Sequence, residues 1–185
     1  MQESHWNYFL ALEEDLENLS RYIELREDNF ATYSIETAKI LMAASQEVDV
    51  LFRAICRHYG AQAESIGDYC ELMMKKHPAI FDAEVTLVHH ALVRAPYKGW
   101  TKTHPPVWWS ANNKVKHGRD TNFGSASLEN VIDAVSALFL ANICGHVILK
   151  GKTRLDPRRD TRLFMPSRGW MAVTGPVYSR CYKVP

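Results

Sequence analysis

The sequence predicts a single, mainly α-helical domain, and three observations support this fold class. The chain has 185 residues, of which 46% are apolar, and this is enough to bury one sizeable hydrophobic core. Long segments repeat apolar residues at steps of three and four, which is the period of an amphipathic helix. Residues that start or stop helices, including Ser34, Gly60 and Gly151, flank several of these segments.

The first two predicted helices are long and amphipathic. The first runs from Trp6 to about Arg26, with its acidic residues mostly on the faces away from the apolar repeat. The second follows Ser34, a residue type that caps helix N-termini, and ends before Gly60, which favours a left-handed stop. The apolar repeats are Phe9, Leu12, Leu16, Leu19 and Ile23 in the first helix, and Leu41, Ala44, Val48, Leu51 and Ile55 in the second.

The middle of the chain is less regular. A shorter helix is predicted from about Ile66 to Lys76, where Pro78 ends it. Residues 81–100 mix β-branched residues with histidine and alanine, and Pro96 indicates a turn near their end. Helix and strand both remain open for this stretch.

Two further helices are predicted in the second half of the chain. The helix over residues 105–117 begins at two consecutive prolines, which suit a first helical turn, and Gly118 suits its end. The last helix covers about residues 127–150 and combines a heptad-like apolar repeat with a glycine stop. Five helices are thus predicted along the chain.

The charge changes sign beyond Gly151. Residues 151–185 carry eight Lys or Arg against two Asp, a local charge of +6, which leaves −5 on residues 1–150. We therefore expect a helical bundle domain over 1–150 and a basic C-terminal arm over 151–185, packed on the bundle or extending from it. Aromatic and β-branched residues around Gly175 favour a short hairpin or docked arm. The arm can bind RNA through charge and stacking, or it can pack across the acidic first helix.

The remaining composition excludes several classes of protein. The four cysteines are widely separated and form no Cys-x-x-Cys pair, which fits a reducing cytosol. No basic and apolar leader begins the chain, and its most apolar stretch, Ala137 to Leu149, is shorter than the ~20 residues of a membrane span. No glycine-rich phosphate loop, zinc-finger spacing or nucleophile elbow is present. We therefore expect a cytoplasmic protein without a cofactor, metal or membrane partner.

The most chemically suggestive segment is residues 108–119. Asn113 and His117 are four residues apart and share one face of the predicted helix. The neighbouring cations are Lys114, Lys116 and Arg119. Histidine transfers protons near neutral pH, and these cations can hold a phosphate and stabilise the charge that develops on it, so the set can cleave RNA without a metal. In the alternative interpretation, two tryptophans anchor the helix in the core and the polar residues solvate its end.

The helical bundle and the Asn-Lys-Val-Lys-His sequence at residues 113–117 resemble the HEPN superfamily. Members of this superfamily are typically four- or five-helix bundles that dimerise, and many are metal-independent endoribonucleases of toxin–antitoxin, abortive-infection and CRISPR-linked defence. Their catalytic motif is an arginine, usually followed by a polar residue, with a histidine about four to six residues after the arginine. The resemblance covers roughly residues 6–150, but only this short segment resembles the superfamily in specific residues.

The superfamily motif transfers to three positions of this chain. Its histidine corresponds to His117, its polar residue to Asn113 and its arginine to Asn112. An asparagine lacks the fixed positive charge and the forked donors that an arginine offers to a phosphate. Neighbouring cations can replace that charge in a divergent ribonuclease, or the site can bind RNA without cleaving it.

Other candidate residues are interpreted as structural. Residues 53–58 also match the arginine-to-histidine spacing, but Ala54 follows the arginine, and basic residues suit the C-terminal end of a long helix. The adjacent pair His89–His90 points in two directions about 100° apart on a helix and lacks further metal ligands at the right spacing. Asn142 and His146 share a helix face, where they are interpreted as satisfied polar groups of the core.

We therefore expect a HEPN-like four- to five-helix bundle with a short basic C-terminal arm or hairpin. The protein is expected to form a homodimer and to bind RNA or cleave it in a bacterial or phage defence or toxin system. His117 is the expected general acid or base, with Asn113 beside it. The expected phosphate-binding residues are Lys114, Lys116, Arg119, Arg158 and Arg159. The alternative is a non-catalytic helical-bundle protein, an adaptor or inhibitor, that binds a protein partner.

Overall fold

The fold is built mainly from α-helices. The structure is a computed structural model, and it describes residues 4–151, 160–167, 169–174, 179–182 and 184–185. The helices of the described part are α1 (Ser4–Ser20), α2 (Ile35–His58), α3 (Ile66–Lys76), α4 (Val107–Asn122) and α5 (Leu128–Lys150). The predicted, mainly helical fold class is confirmed.

The core of the bundle is built around α5. Every residue of this helix from Ala134 to His146 is buried. It packs most extensively on α2, and α1 lies against both of these helices. By length and composition α5 could cross a membrane, since it contains a stretch of mean hydropathy 1.8, but 78% of that stretch is buried in the protein. This burial is the pattern of a core helix.

The helix ends follow local sequence signals. The Ser34 hydroxyl accepts the Thr37 backbone N–H at 3.1 Å, and the Thr37 hydroxyl oxygen accepts the Ser34 N–H at 2.7 Å. This reciprocal capping box begins α2 where the sequence predicted it. Gly60 and Gly151 follow α2 and α5 with φ of 72° and 62°, the left-handed conformation that glycine adopts without strain.

The first helix is shorter than predicted. It ends at Ser20 rather than near Arg26. The Ser20 hydroxyl donates to the Glu17 backbone carbonyl at 2.6 Å, and the chain then continues in turns. Side-chain bonds of this kind compete with the helical hydrogen-bond ladder, and the apolar repeat alone did not reveal this one.

Residues 81–100, which the sequence left open between helix and strand, contain a β-hairpin. Its strands β1 (Val85–Leu87) and β2 (Leu92–Arg94) pair antiparallel, and β3 (Phe164–Pro166) pairs with the other edge of β1. The all-α prediction missed this sheet, because strands of three residues are too short to show a two-residue period. A second hairpin consists of β4 (Met171–Thr174) and β5 (Ser179–Tyr182), as predicted for the arm.

The chain before β3 is held on α1 by a buried carboxylate. Glu13 is 1% exposed and accepts the backbone N–H of Arg162 at 3.1 Å, the N–H of Leu163 at 2.9 Å and the Thr161 hydroxyl. The Arg162 guanidinium also contacts Glu17 at 2.8 Å. These residues therefore pack across the acidic first helix, which is one of the two predicted roles of the arm. The other candidates of the arm, Arg158 and Arg159, lie outside the described residues.

Candidate functional site

A surface cleft of about 600 Å³ opens where α2 and α4 lie side by side. Its volume is in the range of sites that hold small ligands. Lys39, Ser45 and Arg53 of α2 line it, and Tyr8 is the contribution of α1. We call this site the α2–α4 cleft.

One tryptophan fixes the orientation of α4. Trp108 is 1% exposed, and its indole N–H donates to the Pro96 carbonyl at 2.8 Å. The interpretation of this residue as a core anchor is confirmed. Because successive helical residues are about 100° apart, anchoring Trp108 turns the next faces of the helix outward. Trp109, Asn112 and Lys116 consequently line the cleft.

The structure brings together only some of the residues predicted from the sequence. Asn113 and Lys116 line the α2–α4 cleft, whereas Lys114, His117 and Arg119 are exposed on α4 without lining it. His117 follows Asn113 by one helical turn, so the two predicted catalytic residues share the outer edge of the helix. The expected acid–base group therefore stands beside the cleft and not within it.

The α4 helix breaks where the sequence predicted its end. Gly118 has φ −160° and ψ 54°, which is not helical, and a further turn follows it up to Asn122. The Asn122 side chain donates to the Gly118 carbonyl at 2.9 Å and closes this turn. Arg119 therefore lies on the segment beyond the break, which separates it from the cleft residues.

Arg53, which the sequence interpretation assigned a structural role near a helix end, lines the cleft from α2. Its guanidinium contacts Asp49 at 2.8 Å, and the second oxygen of that carboxylate accepts the Tyr69 hydroxyl at 2.8 Å. The arginine is thus positioned by a carboxylate that is itself fixed. The available sequence signal was a polar stripe of Gln46, Asp49 and Arg53, at steps of three and four along this amphipathic helix.

The cations of the cleft differ in how far they are already paired. The Lys39 ammonium contacts Glu36 at 2.7 Å, and Arg53 contacts Asp49. Within the described part of the chain, Lys116 forms no ion pair. Lys116 is therefore the cation that an anionic ligand can bind without displacing a carboxylate.

Two buried polar residues of the cleft have side chains that form no hydrogen bond with any residue the structure describes. Asn112 is 8% exposed, and no hydrogen bond within the described residues involves its side-chain amide. Ser45 is 1% exposed, and its hydroxyl is also without a partner in the described part of the chain. An unpartnered polar atom that is fully shielded costs roughly 1–3 kcal/mol, and this applies to the Ser45 hydroxyl. The amide of Asn112 is not among the fully shielded atoms, so it stays accessible from the cleft that this residue lines.

Other polar groups do not form a comparable site. Among the residues that the structure describes, no group of three or more His, Cys, Asp or Glu is placed to hold a metal ion. The Asn142 amide donates to the Leu138 carbonyl at 3.0 Å, but its oxygen accepts no hydrogen bond from the described residues, so the predicted satisfied core group is only half satisfied there. Burial raises the pKa of the Cys56 thiol to about 11, which makes it a poor nucleophile near neutral pH.

No protein-family model, curated protein or solved structure matches this chain. The functional assignment therefore depends on the chemistry of the α2–α4 cleft. That chemistry combines unpaired positive charge, partly exposed aromatic rings and buried amide and hydroxyl groups. The combination suits a ligand that carries both an anionic group and a flat polar ring.

Proposed function

We propose that the protein binds single-stranded RNA in the α2–α4 cleft, on a HEPN-like helical bundle. The observation that carries the proposal is the composition of the cleft, where Lys116 and Arg53 lie with Trp109 and Tyr8. Proteins that bind single strands combine backbone attraction with stacking of bases on aromatic rings. Bases of a duplex are already stacked and paired, so only an unpaired strand can place one in such a cleft.

The charge distribution favours local binding over general attraction. Residues 1–150 carry a net charge of −5, so the bundle as a whole repels a polyanion. Lys114, Lys116 and Arg119 form no ion pair within the described residues. A phosphate at this end of α4 therefore meets positive charge that is not neutralised by the protein.

Cleavage of the bound RNA is the second candidate function, and the exposed position of His117 beside Asn113 favours it. The imidazole takes the proton of a ribose 2′-hydroxyl, whose oxygen attacks the adjacent phosphorus, and the 5′ oxygen leaves with a proton from water. In place of the arginine of the superfamily motif, Arg53 and Lys116 offer positive charge to the phosphate. By the same resemblance, we propose a cytoplasmic homodimer of a bacterial or phage defence or toxin system.

The alternative function, binding of a protein partner without chemistry, is favoured by a different surface. Tyr22 is 86% exposed, Ile35 is 65% exposed, and Tyr22 lines a shallow cavity with Glu36 and Ile40. Large apolar side chains exposed close to one another are typical of interaction surfaces. Because this surface shares no lining residue with the α2–α4 cleft, single variants separate the two functions.

Fluorescence anisotropy with a labelled single-stranded RNA tests the binding function. We expect saturable binding by the wild-type chain, weaker binding by Lys116→Ala, and wild-type affinity for Tyr22→Ser, which alters only the alternative surface. A wild-type chain that does not bind single-stranded RNA contradicts the proposal. Equal loss in both variants also contradicts it, because the cleft would then not be the site.

Incubation of RNA with the protein in a chelator tests the second candidate. Cleavage by the wild type that is lost in His117→Ala supports a catalytic histidine, since no metal is then available to activate water. Equal cleavage by both proteins removes His117 from the mechanism. Binding without cleavage leaves an RNA-binding protein whose superfamily motif is inactive.

A further inference from the structure

The buried amide of Asn112 is the feature of the cleft that phosphate binding leaves unexplained. We infer that Asn112 and Trp109 form a base-recognition subsite that selects adenine. This inference rests on the proposed function, because it names the base that the RNA-binding cleft accepts.

The amide of Asn112 differs from those of the nearby asparagines. Asn122 donates to the Gly118 carbonyl at 2.9 Å, and Asn130 donates to the Ser125 carbonyl at 3.0 Å. Asn112 is more buried than either of them, yet its amide bonds to nothing within the described residues. Its polar atoms are therefore open to the cleft without a protein partner in the described residues, and Ser45 lines the same cleft.

A carboxamide offers a donor and an acceptor side by side. Adenine offers the complementary pair, an amino group beside a ring nitrogen, and asparagine commonly forms two parallel hydrogen bonds with it. The corresponding groove edge of guanine presents two acceptors, which suit arginine or lysine better than an amide. At this edge an unpartnered asparagine favours adenine over guanine. Cytosine offers a similar amino group beside a ring nitrogen on its pairing edge, so the selection of a purine depends on the stacking surface.

Trp109 supplies a stacking surface next to this amide. It is partly buried, lines the cleft and packs edge-on against Trp108, with ring centroids 5.7 Å apart and an interplanar angle of 80°. The core anchor therefore fixes the orientation of the ring before a ligand arrives. A purine covers more of such a ring than a pyrimidine does, and stacking contributes roughly 1–3 kcal/mol for each base.

Lys116 is placed to bind the phosphate of the same nucleotide. It lies four residues after Asn112 on α4, so the two residues share one face about 5–6 Å apart at their Cβ atoms. The lysine side chain extends beyond this, and a nucleotide holds its base and its phosphate on opposite sides of one ribose. The 600 Å³ cleft therefore has room and partners for one complete adenosine nucleotide.

The test uses oligouridylates of roughly ten nucleotides, within the site sizes of single-strand-binding folds, in which one central base is A, G, C or U. We expect the adenine-containing strand to bind roughly 10-fold more tightly than the others, which is within the discrimination of one bidentate pair. Asn112→Leu should abolish this difference. Asn18→Leu, a matched change at an exposed asparagine of α1 outside the cleft, should retain it.

Three further measurements separate folding and binding from base selection. Asn112→Asp keeps the shape of the side chain but removes its donor, so it should also lose the adenine preference even if the leucine variant does not fold. The four nucleoside monophosphates are titrated in parallel, and we expect adenosine monophosphate to bind most tightly. Circular dichroism spectra confirm that each variant tested is folded.

The possible failures are distinguishable. Equal affinity of the wild type for all four strands overturns the adenine subsite and leaves RNA binding intact. Selective binding of adenosine monophosphate without RNA binding supports the subsite and overturns the proposed function. Binding of neither RNA nor any monophosphate overturns both.

Discussion

Glu13 and Asn112 both carry polar side chains on a helix, and both residues are buried in the protein. Their surroundings differ. The Glu13 carboxylate is bonded to three consecutive residues of the chain before β3, including the Leu163 N–H at 2.9 Å. The Asn112 amide lines a cleft and bonds to nothing within the described residues. Burial alone therefore does not distinguish a polar side chain whose hydrogen bonds are made within the protein from one that has no protein partner. The presence or absence of partners distinguishes the structural group from the binding group.

The two regions should respond to mutation in opposite ways. Removing the Glu13 side chain leaves buried hydrogen-bond donors without an acceptor, so it should lower the stability of the folded state. Removing the Asn112 amide leaves no protein group without a partner, so it should weaken ligand binding and not the folded state.

The largest effect is expected for Glu13→Ala. The variant should lower the free energy of unfolding by about 3 kcal/mol, because backbone N–H groups of Arg162 and Leu163 lose a charged acceptor. Urea denaturation measures this difference, and Glu14→Ala, an exposed neighbour, should change it by less than about 0.5 kcal/mol. RNA affinity should be unchanged. Equal stability of the two variants would contradict the structural role of Glu13.

The second effect concerns RNA affinity and compares two lysines of one helix. Lys116→Ala should weaken binding of single-stranded RNA roughly 10-fold and reduce the salt dependence of binding by about one phosphate contact. Lys114→Ala removes the same charge from a face of α4 that does not line the cleft, and should weaken binding less than about 2-fold. Equal losses would place RNA on the whole cationic end of α4 and not in the cleft.

The smallest effect is a pH dependence of stability that leaves the cleft untouched. Burial, with a contribution from the charge of Lys76, lowers the pKa of His77 below its usual 6.5, and its Nε2 is hydrogen bonded to the Tyr59 hydroxyl at 2.7 Å. The unfolded chain therefore binds this proton more readily than the folded chain. Stability from this group is complete above about pH 6.5 and declines as the pH falls from there through the lower pKa of the folded state, with a slope below about 1.4 kcal/mol per pH unit.

Denaturation of wild type and His77→Gln across this pH range measures the effect. The glutamine variant should show a weaker decline on the acid side, since glutamine does not bind a proton. RNA affinity of the two proteins should be the same at each pH. A decline that is identical in both proteins would assign the pH dependence to other groups.

Much of the fold could be predicted from the sequence because its helices carry local instructions. Ser34 and Gly60 bound α2 as predicted, and Gly151 ends α5. The end of α1 was predicted six residues too late, because Ile23 continues the apolar repeat in a turn after the helix has ended. The three-stranded sheet could not be predicted, since β3 comes from a segment about eighty residues after β1 in the chain.

The candidate site was predicted only in part. Asn113 and Lys116 were selected from a local motif, and they do line the cleft. Arg53 and Ser45 come from α2, and only the packing of α2 beside α4 places them near the motif. A sequence motif describes one wall of a cleft, and the opposite wall is a property of the tertiary structure.

The most direct test of the central contrast is the paired measurement of stability and binding in Asn112→Leu. Replacing an unpaired buried amide by an apolar side chain of similar shape should leave the free energy of unfolding unchanged or raise it by up to about 1 kcal/mol. The same variant should lose the preference for adenine in RNA. A stability loss of more than about 2 kcal/mol, with RNA affinity and base preference unchanged, would show that Asn112 is a structural residue and contradict this account.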